Sequence, residues 1–307
     1  MGSHTDKLID YLRSEHPQFS RGLQDAATAG DGRFEPIAEM FLGWAGAVLG
    51  AGSVERIAEA FVKLTYHVNL AQIRYEAAGR YESRSFAEVQ ASHYSQDEQM
   101  SEYLWGVYAA NFLWAHHVEL CLQYHDRFLR RLPRGAHIVE IAPGPGGWGL
   151  WALKTVPDAT VSGFDISPSS IAIATAMAAA AGVSDRAQYE ERDALSLGDL
   201  EEDSADAVIS CFLLEHLEEP RKVFDVVRHV LRPHGRAFVT GALTAAQLDH
   251  IYEFRRESDL VTMAEASHLR VVETFSANPP RLLPKAGFIP RSMSLLLEPA
   301  RGSVWNA

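Results

Sequence analysis

The chain of 307 residues has only two cysteines, too few basic side chains to balance its acids, and no apolar run of the length that a bilayer demands. Cys121 and Cys211, each set among apolar residues, cannot build a disulfide framework or, by themselves, a structural zinc site. That usage fits a reducing, cytoplasmic setting. Lysine and arginine number 28 against 40 aspartates and glutamates, a formal net charge of -12. Such a surface has no broad basic face to neutralise a phosphate backbone, which argues against nucleic acid and for a small molecule as partner. A spanning helix needs about 18 or more apolar residues in succession, and nothing here approaches it. The N-terminus also lacks the charged-then-apolar order of a secretory signal, so no membrane role is expected. The opening MGSH is set aside from the fold reading. Metal-binding spacings are missing too: no H-x-x-x-H or C-x-x-C occurs, and no metal is expected.

What is present is a composition 47% hydrophobic, enough for a sizeable core, in a length that suggests two units. Up to residue 131 the apolar residues recur at three- and four-residue intervals, as in DKLIDYLRSEH, IAEMFLGWAGAVLG, the long stretch from VERIAEAF to GRY, and the run from EYLWGVY to FLRRL. Residues 5–131 are therefore read as a helical substrate-binding or lid region, with that last run as one continuous pattern. From 132 to 307 short apolar runs alternate with helical ones. HIVEIA, TVSGFDI, AQYEERDA, DAVISCFL and RAFVTGAL read as strands, with SSIAIATAMAAAAG and PRKVFDVVRHVLRP as helices between them. That alternation predicts an α/β, Rossmann-like sheet covered on both faces. LRVVETFS and SMSLLLEP suit two final strands joined by the proline-rich ANPPRLLPKAGFIP.

Between the first strand and its helix lies VEIAPGPGGWG. Gly144, Gly146 and Gly149 satisfy G-x-G-x-x-G, and Asp165 follows Gly146 at the roughly 20-residue separation at which a carboxylate can accept ribose hydroxyls. Glycine lets backbone approach a ligand closely, and free amides at a helix start favour an anionic group. A nicotinamide dinucleotide and S-adenosylmethionine both carry such a ribose, and the turn alone does not separate them.

The downstream order does. The chain from 132 to 300 resembles the class I S-adenosylmethionine-dependent methyltransferases. Glu140 with Gly144 and Gly146 matches their first motif, although Ala142 stands where the family usually has its first glycine. Asp165 with Ile166 matches the second, and Asp193 in ERDALSL the third. DAVISCFLLEHL with PRKVFDVVRHVLRPHGRAFV looks like the fourth strand, its helix and the turn into the fifth. The resemblance implies a seven-stranded core, S-adenosylmethionine as cofactor and S-adenosylhomocysteine as product. It implies that Gly144 and Gly146 face the methionine part, Asp165 the ribose and Asp193 the adenine amino group, with Ile166 and Ala194 lining the ring.

Methyl transfer from a sulfonium needs mainly alignment, and a base only where the acceptor is protonated. His216, just after the fourth strand, is the candidate base, since imidazole titrates near neutrality. His250 and Tyr252, after the fifth strand, are expected on the open C-terminal side of the sheet, where ligands of such folds bind. Tyr94, Trp114, His116 and His117 lie in an aromatic-rich stretch before the core and are candidate acceptor contacts. Adjacent residues on a helix point about 100° apart, so only one of His116 and His117 is expected to face the site. The helical addition resembles, more loosely, methyltransferases of bacterial secondary metabolism, which implies a small organic acceptor. A peptide- or protein-modifying methyltransferase and an NAD(P)-dependent oxidoreductase are the alternatives, and the aromatic helices are candidates for a homodimer interface.

Overall fold

The structure, a computed structural model, describes residues 2–82, 85–89 and 97–300. Its helical part consists of α1 (His4–Glu15), α2 (Ser20–Ala29), α3 (Phe34–Leu49), α4 (Ser53–Ala78), a single turn α5 (Phe86–Val89), α6 (Asp97–Leu113) and α7 (Ala115–Gln123). MGSH contributes to that start: the Ser3 hydroxyl accepts the Asp6 amide, Asp6 returns the bond to Ser3, and His4 pairs with Glu39. Gly50 and Gly52, both at positive φ, turn α3 into α4. Residues 102–132 are not one helix. Trp114 takes an extended backbone, φ -94° and ψ 122°, and separates α6 from α7. Apolar periodicity continues through the break because both helices pack on the same interior, so the pattern conceals it.

The rest is a sheet with helices on it. Strands β1 (His137–Ile141), β2 (Thr160–Asp165), β3 (Ala187–Glu191), β4 (Ala205–Ser210), β5 (Leu231–Leu243), β6 (Leu269–Ala277) and β7 (Arg291–Pro299) form one sheet in the order 3-2-1-4-5-7-6. The first five are mutually parallel, and β7 runs antiparallel to both β5 and β6. Between them lie α8 (Gly147–Thr155), α9 (Pro168–Ala180), α10 (Arg221–Val230) and α11 (Glu257–Ala266). All seven sequence-predicted strands are present. The order reverses between β1 and β4, and the crevice beyond their carboxyl ends is where ligands of open α/β sheets bind.

The helical part has no separate core. One apolar cluster runs from Leu8 and Leu12 in α1, through Phe41 and Phe112, to Trp151, Phe238 and Leu296 on and beside the sheet. A π-helical turn, Tyr124–Phe128, leads from α7 towards β1, and the Tyr124 hydroxyl donates to the Trp148 carbonyl. Shared burial of this kind fixes the helices over the sheet's ligand-binding edge. Among the described residues no single helix is long and apolar enough to cross a membrane.

Candidate active site

The glycine-rich turn divides its labour. Gly149 is required by the interior: the Glu140 carboxylate lies under it, accepts its amide at 3.0 Å, and would meet a Cβ there at 2.2 Å. Gly147 faces the rings of Phe41 and Tyr108, at 3.0 and 3.1 Å from an added Cβ, which locks the helical part onto the motif. Gly144 differs. It has φ +53°, its Cβ direction meets nothing within 4 Å, and its amide donates to Asp165 Oδ2 at 3.0 Å. This is the open place at which backbone can approach a ligand. Ala142 adopts φ +55°, the left-handed conformation that a glycine would hold without strain.

Two buried carboxylates shape this end. Asp165 closes β2 and accepts amides from Gly144 and, at 2.9 Å, from Ser167. Burial pushes its pKa up against the pull of those amides. Glu140 is pushed up to about 8, by burial and also by the Asp165 charge. Its Oε2 is buried without a hydrogen-bond partner. An orphaned carboxylate oxygen at the edge of a cavity is a place for a donor from outside the protein. Ile166, 50% exposed, presents an apolar surface beside them. Asp193 lies on the surface and caps its own turn, accepting from the Leu195 amide at 2.9 Å and the Ser196 hydroxyl at 3.2 Å. Ala194 starts that turn.

These groups line one end of a cavity of about 1270 Å³, whose other end is built by the helices, the segment after β4 and the proline-rich β6–β7 connection. That exceeds the roughly 300–1,000 Å³ that houses a single drug-sized ligand, leaving room for two molecules in sequence. Trp114, His116, His117, His216 and His250 all line it. Both His116 and His117 reach the cavity, their rings 4.6 Å apart edge to face, contrary to the expectation of one. The reason is the break at Trp114, whose ring stacks on His116 at 5.6 Å and meets His117 edge-on at 5.0 Å. Burial pushes the His116 pKa down to about 3 and that of His117 well below its usual range. Neutral imidazoles of that kind are weak bases but good hydrogen-bonding partners. His117 Nδ1 is buried with no partner.

His216 follows β4 in a short 3₁₀ turn, Leu214–His216, with its Nδ1 3.1 Å from the Asp249 carbonyl. Tyr103 of α6 donates to the Asp249 carboxylate at 2.6 Å, so the helical part braces the loop that braces His216. His250 is buried, holds the Ala245 carbonyl at 2.7 Å through Nδ1, and meets the His216 ring edge-on at 4.9 Å. Burial, followed by the neighbouring His216, lowers its pKa to about 3. Gln72 of α4 clamps the same loop, donating to the Thr244 carbonyl and accepting the Ala246 amide. Tyr252 packs on Phe254 at 4.7 Å and does not line the cavity. Tyr94 lies outside the described residues.

Two contributors escape the motif reading. Phe212 stacks on His117 at 4.5 Å and holds φ +55°, a conformation that favours glycine and that no propensity predicts for phenylalanine. Glu215 is 1% exposed with Oε2 unpartnered, beside His216. A glutamate immediately before a candidate site histidine was its only trace in the sequence.

Residues 138–235 match the family model described as a methyltransferase domain. The chain is 25% identical over 153 residues to the methyltransferase GfsG of Streptomyces halstedii, covering 50% of this chain and 52% of that protein. To the ubiquinone biosynthesis O-methyltransferase of Paraburkholderia xenovorans it is 29% identical over 158 residues, 45% of this chain and 66% of the other. It thus spans about half to two thirds of the length of these curated relatives. Among solved structures, the [4+2]-cyclase SpnF matches with a TM-score of 0.52 at 15% identity, over 62% of this chain and 84% of that one.

Proposed function

From the premise that residues 138–235 form a class I S-adenosylmethionine-dependent methyltransferase domain, we propose that the chain methylates a small organic acceptor, in natural-product biosynthesis. The observation that carries the proposal is the single cavity, with carboxylates and backbone amides at one end and aromatic rings with neutral histidines at the other. The residues present suit the cofactor. The unpartnered Glu140 Oε2 offers an acceptor for the methionine ammonium, the open Gly144 backbone admits its chain, and Asp165 keeps lone pairs for the ribose hydroxyls. Exposed Ile166 supplies a face for the adenine ring, and Asp193 would have to share a carboxylate already capping its turn.

S-adenosylmethionine brings an activated methyl group, so the protein's task is to hold the acceptor in line and exclude water. The helices and the proline-rich connection enclose the acceptor end. Trp114 and Phe212 offer flat apolar faces there, and His117 Nδ1 and His216 offer polar atoms for orienting the acceptor. A cavity lined deeply by helices on one side and the sheet's edge on the other suits a compact acceptor better than a peptide. GfsG, a methyltransferase from a streptomycete, is in keeping with a natural-product role.

Because SpnF, similar in fold, is a cyclase, methyl transfer itself has to be read out. Incubating the chain with methyl-labelled S-adenosylmethionine and extracts of secondary metabolites should place the label in a compound that mass spectrometry detects as methylated. Release of S-adenosylhomocysteine without label in any small molecule, or label in protein alone, contradicts the reading.

A further inference from the structure

Glu215, His216 and His250 come together although they are separated in sequence and belong to no metal-binding spacing. One ligand-capable atom from each lies within 4.8 Å of the others, among the described residues. Two features distinguish this cluster from a chance meeting of polar groups. The first is the carboxylate: Glu215 is 1% exposed, and its Oε2 has no hydrogen-bond partner. A buried, unpaired carboxylate oxygen is costly unless something cationic or proton-bearing satisfies it. The second is how the rings are held. His250 Nδ1 meets the Ala245 carbonyl at 2.7 Å and His216 Nδ1 the Asp249 carbonyl at 3.1 Å. A carbonyl can only accept, so each Nδ1 donates, which leaves Nε2 of each ring as the nitrogen available to a metal. Imidazoles that ligate metals are oriented in the same way, by donating the other ring N–H to a carbonyl or carboxylate.

We propose that Glu215, His216 and His250 bind a first-row divalent transition-metal ion at the acceptor end of the cavity. Two imidazoles and one carboxylate on one side of an ion leave coordination positions open on the other. All three residues line the cavity, so those positions face the acceptor. Among the described residues, the lysine or arginine side chains lining the cavity are Arg21 and Arg281, and Arg281 is paired with Asp25. An acceptor oxygen entering the pocket, hydroxyl, enol or carboxylate, can take an open coordination position on the ion, which also makes a coordinated hydroxyl more acidic. This assigns an oxygen-bearing acceptor. That part rests on the methyltransferase reading, whereas the metal site itself stands on the cluster alone.

The test uses the full chain, stripped with a chelator and titrated with Co²⁺ followed by its visible absorption, and with Zn²⁺ by calorimetry. Wild type should take up one equivalent of each, with Co²⁺ ligand-field bands appearing. Glu215→Gln and His250→Ala should each weaken the affinity at least tenfold. Half-buried His216→Gln serves as the variant least able to disturb folding, and circular dichroism with thermal unfolding checks that each variant is folded. Absence of stoichiometric uptake by wild type, or equal uptake by a folded variant, overturns the site. Metal uptake without S-adenosylhomocysteine binding keeps the site and refutes the methyltransferase reading.

Discussion

The two ends of the cavity are built in opposite ways. The proposed cofactor end is local: Glu140, Ala142, Gly144 and Asp165 come from two neighbouring parallel strands and the turns that follow them. Backbone amides and a strand register hold its carboxylates, so few side chains have to be right. The proposed acceptor end is assembled from far apart. His117 comes from α7, Phe212 and His216 from the segment after β4, and His250 from a loop that Tyr103 and Gln72 pin from two other helices. A ligand whose chemistry never changes can be met by a fixed local motif, whereas an acceptor pocket is shaped by whichever long-range contacts the added helices make.

If the ends are separable, damage to one should spare the other. The largest effect is expected for His216→Ala, which removes an imidazole at the meeting point of both proposed roles. Turnover with the true acceptor should fall about a hundredfold, while S-adenosylhomocysteine affinity stays within about threefold. Steady-state kinetics beside calorimetric titration reads the split, and a parallel loss of both would show that the ends are one unit.

Gly149→Ala tests how far the cofactor end depends on the interior. A Cβ 2.2 Å from Glu140 Oε2 forces the buried carboxylate or α8 to move. Overpacking of this kind costs about 1–3 kcal/mol, to be measured as a fall in unfolding free energy in urea. Unchanged stability would mean that Glu140 is free to swing away.

The acceptor end should be the acid-sensitive one. The His116 pKa is lowered to about 3 in the folded chain, against roughly 6.5 when unfolded. Between those values the unfolded chain binds more protons, so stability is full above about pH 6.5 and is lost as pH falls towards 3. His116→Phe should lose at least about 1 kcal/mol less than wild type across that window in urea titrations. Identical pH profiles would show that His116 is more hydrated than its packing against Trp114 and His117 implies.

The smallest effect belongs to Ala142→Gly. Relieving φ +55° at an L-residue favours glycine, partly offset by the extra freedom of the unfolded chain. A gain within about 1 kcal/mol in thermal or urea unfolding is expected, with cofactor affinity unchanged or slightly improved. A clear loss would indicate that the Ala142 methyl packs usefully in the turn.

The same contrast explains what could be read from the residues in order. Strand-helix alternation and the turn around Gly144 are short-range, and all seven strands emerged from them. Roles inside the motif were less legible: G-x-G-x-x-G does not reveal that Gly149 serves Glu140 while Gly144 alone faces open space. At the acceptor end, periodicity carried straight through Trp114 and concealed the break that lets His116 and His117 share the cavity. The Glu215, His216 and His250 cluster was invisible to a search for ligand spacings, because the loop after β5 brings its third member from 34 residues beyond the second. Tyr252, expected on the open C-terminal side of the sheet because it follows the fifth strand, packs on Phe254 instead.

The central claim is that the motif end of this cavity holds S-adenosylmethionine and not a dinucleotide. Titration calorimetry of wild type and Asp165→Ala with S-adenosylhomocysteine, and of wild type with NADPH, tests it. The account predicts one S-adenosylhomocysteine bound per chain, at least tenfold weaker binding in the folded variant, since hydrogen bonds to a charged group contribute about 1.5–3 kcal/mol each, and no heat from NADPH. Saturable NADPH binding without S-adenosylhomocysteine binding, or an affinity for S-adenosylhomocysteine that Asp165→Ala leaves intact, would contradict it.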